Sequence, residues 1–322
     1  MATSVLIVGL GSIGMGYDLH HGHDVNKIYT HARAFSLHPD FYLVGAVDPE
    51  QKLCEIFEQE YKAPAYSDVE GALIHHKPQL VIIAAPTQYH CVILHKVLEM
   101  SEPHTILCEK PLSYSWDEAS SMVDLCVKNN VDLYVNYMRR SDPAVIDIKE
   151  RLDNGQIETP LKGLCWYSKG FKHNGSHFFN LLEFWLGKLE SATIIDNGRL
   201  WAGEDPEPDV KLVFSRGTVI MLAAWEEKFS HYDIEFIAQN GRLRYESGGN
   251  IVNWQGVESD KNFDGYTRLS SKKQTINSGM NSYQLNVAEQ LSLSINNDFL
   301  LCSGAEALIT QKNMHNILEK RE

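Results

Sequence analysis

The sequence predicts an α/β protein with two domains: a doubly wound parallel sheet over residues 1–138 and an α+β domain with an open, mainly antiparallel sheet over residues 139–322. Three observations predict this division. A glycine-rich turn follows the first apolar run, and short apolar runs then alternate with helix-length segments. After Arg140 the pattern changes to alternating strands punctuated by Asn-Gly and Gly-Gly pairs, which is typical of an antiparallel sheet with one solvated face.

The N-terminal apolar runs are nearly continuous, which indicates strands buried on both faces of a sheet. These strands are predicted at Ser4–Val8, Phe41–Val47, Leu80–Ala84, Thr105–Cys108 and Val131–Asn136, with helices at Glu50–Tyr61, Tyr89–Met100 and Trp116–Asn129. The C-terminal region is predicted to contain a helix at Pro143–Leu152, a strand at Leu161–Ser168, a helix at Phe178–Leu186, alternating strands from Ala192 to Ile276, and helices at Tyr283–Asn296 and Gly304–Lys320.

Composition excludes several classes of protein. The chain has 322 residues, of which 43% are hydrophobic and 22% charged, and these are ordinary globular values. A formal net charge of −13 argues against nucleic acid or an anionic membrane surface as a partner. The six cysteines form no Cys-x-x-Cys pair, the longest apolar stretch is too short to span a membrane, and no basic signal-peptide segment opens the chain. We therefore expect a cytosolic protein with free thiols.

The glycine-rich turn Gly9–Gly14 (Gly-Leu-Gly-Ser-Ile-Gly) is the strongest chemical signal. Between a strand and a helix, Gly9 permits a tight turn, Gly11 lets the backbone approach a pyrophosphate, and Gly14 lets the helix pack on the strand. The amides of Ser12 and Ile13 lie at the predicted helix N-terminus, which favours phosphate. The pattern predicts a dinucleotide-binding Rossmann domain, and a site for S-adenosylmethionine is the alternative.

Asp48 follows the second predicted strand, where a carboxylate would bind the adenosine ribose of the cofactor. It comes later after the glycines than usual, and an insertion over residues 19–29, rich in histidine, accounts for the excess. A carboxylate accepts both ribose hydroxyls and repels a 2′-phosphate, so the sequence predicts NAD in preference to NADP. A helix N-cap role for Asp48 is compatible with this prediction.

Several motifs then occur in a recognisable order, namely Gly9–Gly14, Asp48, Ala85–His90, Glu109-Lys110-Pro111 and the stretch from His177 to Gly187. Together they resemble the Gfo/Idh/MocA oxidoreductases, the family of glucose-fructose oxidoreductase and inositol dehydrogenase, over nearly the whole chain. The resemblance implies an NAD-binding Rossmann domain and a C-terminal domain that contacts substrate and often forms the subunit interface, hence a homo-oligomer. The implied substrates are sugars, polyols and nucleotide-linked sugars that react at a secondary alcohol.

Two predicted strands end in segments that face the crevice where open α/β sheets bind ligands. The first segment supplies candidate cofactor contacts at Ala85, Pro86, Thr87 and His90. His90 could instead be a structural histidine. The second supplies Glu109 and Lys110, which are also expected to lie beside the cofactor. We expect Lys110 to hydrogen-bond the reacting hydroxyl and Glu109 to orient the ammonium, and an ordinary surface lysine is the alternative.

The segment from Lys172 to Asn180 carries the remaining candidate residues. Members of the family have Asp-x-x-x-His-x-x-Asp here, and alignment on Leu186-Gly187 implies that His177 matches the family histidine. His173 and Asn180 then stand where the family has acids, so the route of the proton is open. His177 suits general acid–base chemistry at neutral pH. The spacing of the two histidines also fits zinc, but Gly175 between them and the missing glutamate favour no metal.

Basic residues concentrate near the same elements, at Arg139, Arg140, Lys169 and Lys172. Such a cluster could bind a phosphate or carboxylate of the substrate, with Arg139, Lys172 and His173 as candidate contacts beside Lys110 and His177. A solvated face is an equal alternative.

The sequence therefore predicts an NAD-dependent oxidoreductase in which Lys110 and His177 lie within reach of one substrate hydroxyl. The resemblance leaves open a lyase or hydrolase that cycles NAD through a keto-sugar intermediate, as some relatives do. The missing acids around His177 leave open a non-catalytic NAD-binding regulator. The substrate itself is not determined by these motifs.

Overall fold

The computed structural model describes residues 2–19, 27–225, 228–294 and 300–321. They form two compact units. The first contains the chain up to Ser141 together with Asn281–Ile309, and the second contains Asp142–Met280 together with the residues from Thr310 on. The first change of unit along the chain falls after Ser141, and the boundary predicted from the sequence lies between residues 138 and 139. The return of Asn281–Ile309 to the first unit differs from it, because no local pattern reports such a long-range contact.

The first unit is built on a seven-stranded sheet with the order β18-β6-β5-β4-β1-β2-β3. Numbered along the chain, its strands are β1 (Thr3–Val8), β2 (Phe41–Val47), β3 (Ala65–Tyr66), β4 (Leu80–Ile83), β5 (Thr105–Cys108), β6 (Asp132–Val135) and β18 (Cys302–Ser303). The first six are parallel, and β18 is antiparallel to β6. Its helices are α1 (Tyr17–Leu19), α2 (His31–Leu37), α3 (Gln51–Tyr61), α4 (Val69–His75), α5 (His90–Met100), α6 (Trp116–Lys128), α9 (Tyr283–Ser294) and the start of α10 (Gly304–Leu318).

The central strands of this sheet are buried on both faces. Every residue of β4 is buried, and alternate side chains belong to two separate apolar clusters, with Val81 and Ile83 in one and Leu80 and Ile82 in the other. Burial of one such side chain stabilises the fold by about 1.5–3 kcal/mol. This two-sided burial explains the continuous apolar runs of the sequence.

Two helices of the first unit were not predicted. Helix α2 begins at His31 and is capped by Thr30, whose hydroxyl accepts a hydrogen bond from the Arg33 amide. Helix α4 is capped in the same way by Asp68. Both helices have seven residues, which is too short for a clear helical period. The predicted insertion at 19–29 lies largely outside the described residues.

The second unit contains a nine-stranded sheet. Eight of its strands have the order β16-β15-β14-β13-β7-β12-β11-β8, and the ninth, β17, pairs with β15. Its strands are β7 (Leu161–Tyr167), β8 (Leu189–Asp196), β11 (Asp209–Phe214), β12 (Gly217–Ala223), β13 (Asp233–Ala238), β14 (Gly241–Glu246), β15 (Ile251–Ser259), β16 (Thr267–Leu269) and β17 (Gln274–Ile276), and β9 (Leu200–Trp201) with β10 (Asp205–Pro206) forms a separate hairpin. All neighbours are antiparallel except β7 and β12.

One face of this second sheet packs against α7 (Pro143–Asp153), α8 (Ser176–Leu186) and the end of α10. In β14, Leu243 and Tyr245 are buried in that core, whereas Arg242 and Arg244 alternate with them and remain half-exposed. The alternation agrees with the period of a strand that has one solvated face. The fold class predicted from the sequence is therefore confirmed in both units. Within the described residues, no helix is long and apolar enough to cross a membrane.

Candidate functional site

The glycine-rich turn packs β1 against the segment that follows β4. Gly9 has φ +104°, and a side-chain carbon there would lie 2.6 Å from the backbone of Ala84. A side-chain carbon at Gly14 would lie 2.1 Å from the Gly9 carbonyl oxygen. Gly11, in contrast, has open space where its side chain would be. Gly9 and Gly14 are thus required for packing, and Gly11 leaves room for a ligand.

The helical segment after the turn starts with a π-helical turn, Ser12–Gly16, which continues into α1. The Gly11 carbonyl accepts hydrogen bonds from the amides of Met15 and Gly16. The amides of Ser12 and Ile13 consequently lie in the first turn, the end of a helix that favours an anion. Ser12 is exposed and Ile13 is half-buried, so this end is open to a phosphate.

Asp48 follows β2 directly and connects it to the glycine-rich turn. One carboxylate oxygen accepts the Leu10 amide hydrogen at 2.8 Å, and the other accepts the Glu50 amide hydrogen at 2.9 Å. A carboxylate has about four lone-pair sites, so it can still accept the hydroxyls of a ribose. Together with the space at Gly11, these acceptors fit the adenosine half of NAD.

His90 holds two loops together instead of presenting a ring nitrogen to a cofactor. It is fully buried at the start of α5. Its Nε2 lies 2.8 Å from the Ala85 carbonyl oxygen, and its Nδ1 lies 3.1 Å and 3.2 Å from those of Pro111 and Leu112. Both ring nitrogens of His90 face backbone carbonyl oxygens, so its contacts are those of a structural histidine. In the loop it anchors, Pro86 is exposed and Thr87 is half-buried at the start of a 3-10 turn.

Glu109 and Lys110 follow β5, at the same sheet edge, and both are half-buried. Burial of Glu109 alone would raise its pKa, but the hydrogen bond and charge of His31, the hydrogen bond of Asn136 and the charge of Lys110 outweigh burial and lower it. The Asn136 amide donates to Glu109 Oε1 at 2.6 Å, and His31 Nε2 lies 2.9 Å from the same oxygen. Glu109 is thus held as a carboxylate beside Lys110.

Arg139 and Arg140 do not form an exposed basic patch. Both side chains are buried in the first unit, and the Arg140 guanidinium donates to Glu306 at 2.7 Å. That pair connects the turn after β6 to helix α10. The predicted role of Arg140 in an anion-binding cluster is therefore wrong, because its charge is already neutralised by a carboxylate.

In the second unit, the segment before α8 is anchored by two acids from the hairpin of β9 and β10. Asp205 accepts the amide hydrogens of Lys172 and His173 at 3.0 and 2.7 Å. Glu207, which is fully buried, accepts the Gly170 amide hydrogen at 3.0 Å and pairs with Arg199 at 2.9 Å. This anchoring fixes the backbone of a π-helical turn, Gly170–Gly175, that leads into α8.

The side chains of this segment differ in their surroundings. Lys172 and His173 are exposed, and the His173 ring stacks on Trp201 with centroids 5.3 Å apart. His177 is half-buried in the first turn of α8. Asn180 is fully buried, and its amide donates to the Thr310 hydroxyl at 2.9 Å. Asn180, which the resemblance places where the family has an acid, thus contacts a hydroxyl of α10.

Sequence reasoning missed four residues that hold the candidates in place: His31, Asn136, Asp205 and Glu207. Asn136 follows β6, and its position after a parallel strand was a usable signal. His31 lies 78 positions before Glu109 and has no local signal. The two acids belong to an Asp-Pro-Glu-Pro-Asp run that reads as an ordinary polar turn.

Comparison with known proteins agrees with this geometry. A sequence model described as "Oxidoreductase family, NAD-binding Rossmann fold" matches residues 3–137, the strands and loops of the first unit. Residues 3–137 therefore resemble the NAD-binding domain of the Gfo/Idh/MocA family. The resemblance drawn from the motifs is thereby confirmed, and so is the prediction of NAD as the cofactor of this domain.

Curated relatives are similar to this chain over part of their length. The chain is 28% identical to scyllo-inositol 2-dehydrogenase (NAD(+)) of Bacillus subtilis over 60% of this chain and 56% of the relative. It is 27% identical to inositol 2-dehydrogenase of Rubrobacter xylanophilus over 68% of this chain and 60% of the relative. The chain thus spans little more than half the length of these curated relatives.

Solved structures match the whole chain in fold. An oxidoreductase from Agrobacterium radiobacter, in complex with NAD+, L-tartaric acid and magnesium, matches with a TM-score of 0.76 and 16% identity over 100% of this chain and 98% of that chain. The WlbA dehydrogenase from Bordetella pertussis, in complex with NADH and UDP-GlcNAcA, matches with a TM-score of 0.74 and 16% identity over 99% and 95%. At this identity the likeness shows the fold.

Alanine at Gly11 should weaken NAD binding, whereas alanine at Gly14 should destabilise the fold. Gly11→Ala meets open space, so the free energy of unfolding should stay within about 0.5 kcal/mol of wild type. Its methyl group would occupy room left for the pyrophosphate, and a steric cost of about 1–3 kcal/mol predicts NAD binding weaker by roughly 5-fold to 150-fold. Gly14→Ala meets a carbonyl oxygen and should destabilise the folded first unit instead.

Denaturant unfolding and calorimetric titration with NAD measure the two effects separately. Gly155→Ala in the second unit is the control. A side-chain carbon there would meet no atom within 4 Å, so with φ +78° any loss of stability comes from backbone strain. Unchanged NAD affinity in Gly11→Ala would show that the pyrophosphate does not approach this backbone.

Proposed function

We propose that the protein is an NAD-dependent oxidoreductase that transfers a hydride between nicotinamide and a secondary alcohol or ketone of a sugar, a polyol or a nucleotide-linked sugar. The observation that carries the proposal is the position of three features at one edge of the first-unit sheet. The glycine-rich turn, Asp48 and the Glu109-Lys110 pair follow β1, β2 and β5, and these strands are parallel. Ligands of open α/β sheets bind at that edge.

The names of relatives support the substrate class. The curated relatives include two inositol 2-dehydrogenases and the D-xylose 1-dehydrogenase [NADP(+)] of Haloarcula marismortui, and one structural neighbour was solved with UDP-GlcNAcA. All of these substrates carry secondary hydroxyl groups. A panel of myo-inositol, scyllo-inositol, D-xylose and UDP-N-acetylglucosamine, each assayed with NAD for formation of NADH, tests the proposed class.

NAD supplies the acceptor for the hydride when it is bound. The chain's own residues must then remove the hydroxyl proton as the C–H bond breaks, and return it in the reverse direction. Lys110 and His177 are the proposed residues for this transfer, with Lys110 held in the first unit beside the ionised Glu109. Exposed Lys172 and His173 are proposed substrate contacts in the second unit, and the buried Arg139 stays a proposed contact in the first.

We also propose that the protein forms a homo-oligomer through the solvated face of the second-unit sheet. Leu164 on β7 and Ile220 on β12 are direct neighbours on that face and are only half-buried in the single chain. Adjacent half-buried apolar side chains in the centre of a sheet favour a surface that a partner covers.

Preference for NAD over NADP should depend on Asp48. Asp48→Asn keeps an acceptor for the Leu10 amide but removes the negative charge, so the affinity for NAD should fall and that for NADP should rise. A hydrogen bond to a charged group contributes about 1.5–3 kcal/mol, which predicts a loss of roughly tenfold or more for NAD. Titration of both cofactors measures the ratio, and equal or tighter binding of NADP by the wild type would contradict the prediction.

Loss of the proton-transfer groups should affect turnover more than cofactor binding. Lys110→Ala and His177→Ala should each lower kcat by about 10²–10⁴, the usual contribution of a general acid or base. The affinity for NAD should remain nearly unchanged. Lys77→Ala and His104→Ala, at exposed positions, serve as controls. A variant that keeps nearly full turnover is not the acid–base group, and if both keep it the reaction site lies elsewhere.

A charge on the outer sheet face should dissociate the oligomer. Ile220→Glu would bury an unpaired carboxylate in the interface, which is strongly unfavourable. Light scattering after size exclusion should therefore report a smaller mass than for wild type. Ile74→Glu, which changes an exposed isoleucine of α4 in the first unit, should leave the mass unchanged. A wild-type protein that is monomeric at micromolar concentration would contradict the proposal.

A further inference from the structure

We propose that His31 is a positioning residue for Lys110 and acts through Glu109. The inference rests on the proposed function, because it gives Lys110 its role in proton transfer. It depends on a buried side-chain network of the first unit that joins four separate parts of the chain, at His31, Glu109, Asn136 and Gln284.

The His31 ring is buried at the start of α2. Its side chain is completely buried at the first position of α2, and its ring lies 6.3 Å from that of Phe35, one helical turn later. The preceding residue, Thr30, donates both its amide and its hydroxyl hydrogen to the buried Asp18, at 2.9 and 2.6 Å. The start of α2 is thus fixed from the opposite side, and the imidazole direction is fixed with it.

Glu109 uses one carboxylate oxygen for this network. His31 Nε2 and Asn136 Nδ2 both lie within hydrogen-bond distance of Oε1, at 2.9 and 2.6 Å. Because the pKa of Glu109 is lowered by these groups against the effect of burial, the carboxylate is ionised and His31 Nε2 must be the donor. Rotation of the carboxylate would break both bonds, so these two contacts fix its orientation.

The support extends to the segment that returns from the second unit. Asn136 Nδ2 also lies 3.3 Å from Oε1 of Gln284, which is fully buried at the start of α9. The Gln284 amide donates to the Ile28 carbonyl oxygen, and the Ile28 amide donates to Asn281. These two hydrogen bonds therefore connect residue 28, just before His31 in sequence, to the segment 281–284 that carries Gln284.

The coupling between Glu109 and Lys110 is reciprocal. The positive charge of Lys110 helps to keep Glu109 ionised, so the negative charge of Glu109 must favour protonated Lys110 by the same free energy. Removal of the His31 donor leaves the half-buried carboxylate with one hydrogen bond fewer, so it is free to rotate away from Lys110 and its charge then stabilises the ammonium less. His31 thus helps to set the pH at which Lys110 changes its charge.

The pH dependence of Lys110 acetylation tests this inference without substrate or turnover. The full-length protein is labelled with trace acetic anhydride between neutral and alkaline pH, and the Lys110 peptide is quantified by mass spectrometry. Glu109→Gln should lower the midpoint of labelling by about one pH unit, the smaller shift expected for loss of a nearby opposite charge. His31→Leu should shift it in the same direction, and His31→Gln, which can place an amide donor near the Nε2 position, should restore the wild-type midpoint.

His38→Leu is the matched control, because His38 is also buried and pairs with a glutamate, Glu289, at 3.0 Å at the other end of α2. It should leave the Lys110 midpoint unchanged. If His31→Leu does not fold, as judged by circular dichroism, His31→Asn supplies the same test because its side chain is too short to reach Glu109.

Two outcomes would overturn the inference. One is a wild-type labelling midpoint in the His31→Leu or His31→Asn variant, and the other is a shift in His31→Gln as large as in His31→Leu. Failure of the proposed function would be seen separately, as absence of NADH formation with the whole substrate panel despite NAD binding. Shifted midpoints together with absence of NADH formation on this panel would support the positioning role of His31 and contradict the proposed substrate class.

Discussion

A ladder of backbone hydrogen bonds along the carboxyl edge of the parallel sheet is the constraint on which the first unit depends. The residue after each strand donates its amide hydrogen to the last carbonyl of a neighbouring strand: Gly9 to Val47 at 2.8 Å, Ala84 to Val8 at 2.7 Å, Glu109 to Ile83 at 2.9 Å and Asn136 to Cys108 at 2.8 Å. Because buried amides must be paired, this ladder leaves little freedom in where the chain leaves the sheet. The glycine-rich turn and the Glu109-Lys110 pair therefore lie in one row, whatever their distance in sequence.

Buried and half-buried acids then fix the loops that follow the strands. A carboxylate is costly to bury unless it accepts hydrogen bonds, and each acid here accepts them from a different segment of the chain. Asp48 ties the turn after β1 to the end of β2, and Glu109 ties the end of β5 to α2 and β6. In the second unit Asp205 and Glu207 hold the segment before α8. The same charges that could serve chemistry also determine where the loops lie.

The strands could be predicted from sequence because two-sided burial leaves a continuous apolar run. The bounds of β2 and β5 agree with prediction to the residue, and those of β1 and β4 differ by one. Partners far apart in sequence could not be predicted. Nothing near His31 indicates that it meets Glu109, and nothing near Tyr283 indicates that α9 returns to the first unit. The glycine-rich turn and Asp48 were accessible because their chemistry follows from a local strand-turn arrangement. Contacts such as Asn180 with Thr310 depend on tertiary packing alone.

The histidine segment shows how a changed motif can remain ordered. On the alignment that the resemblance implies, His173 and Asn180 stand where members of the family have acids, and neither supplies a negative charge there. Asp205 and Glu207 bring carboxylates to the same segment from a hairpin, but they bind its backbone amides and not an imidazole in the contacts observed. These hydrogen bonds hold the segment in place, and the negative charges of Asp205 and Glu207 face its backbone amides. Burial moreover raises the pKa of Asp205 against the opposing backbone hydrogen bonds, as expected for an acid withdrawn from solvent. The hairpin acids thus hold the loop through its backbone amides, and the half-buried His177 follows them in the first turn of α8.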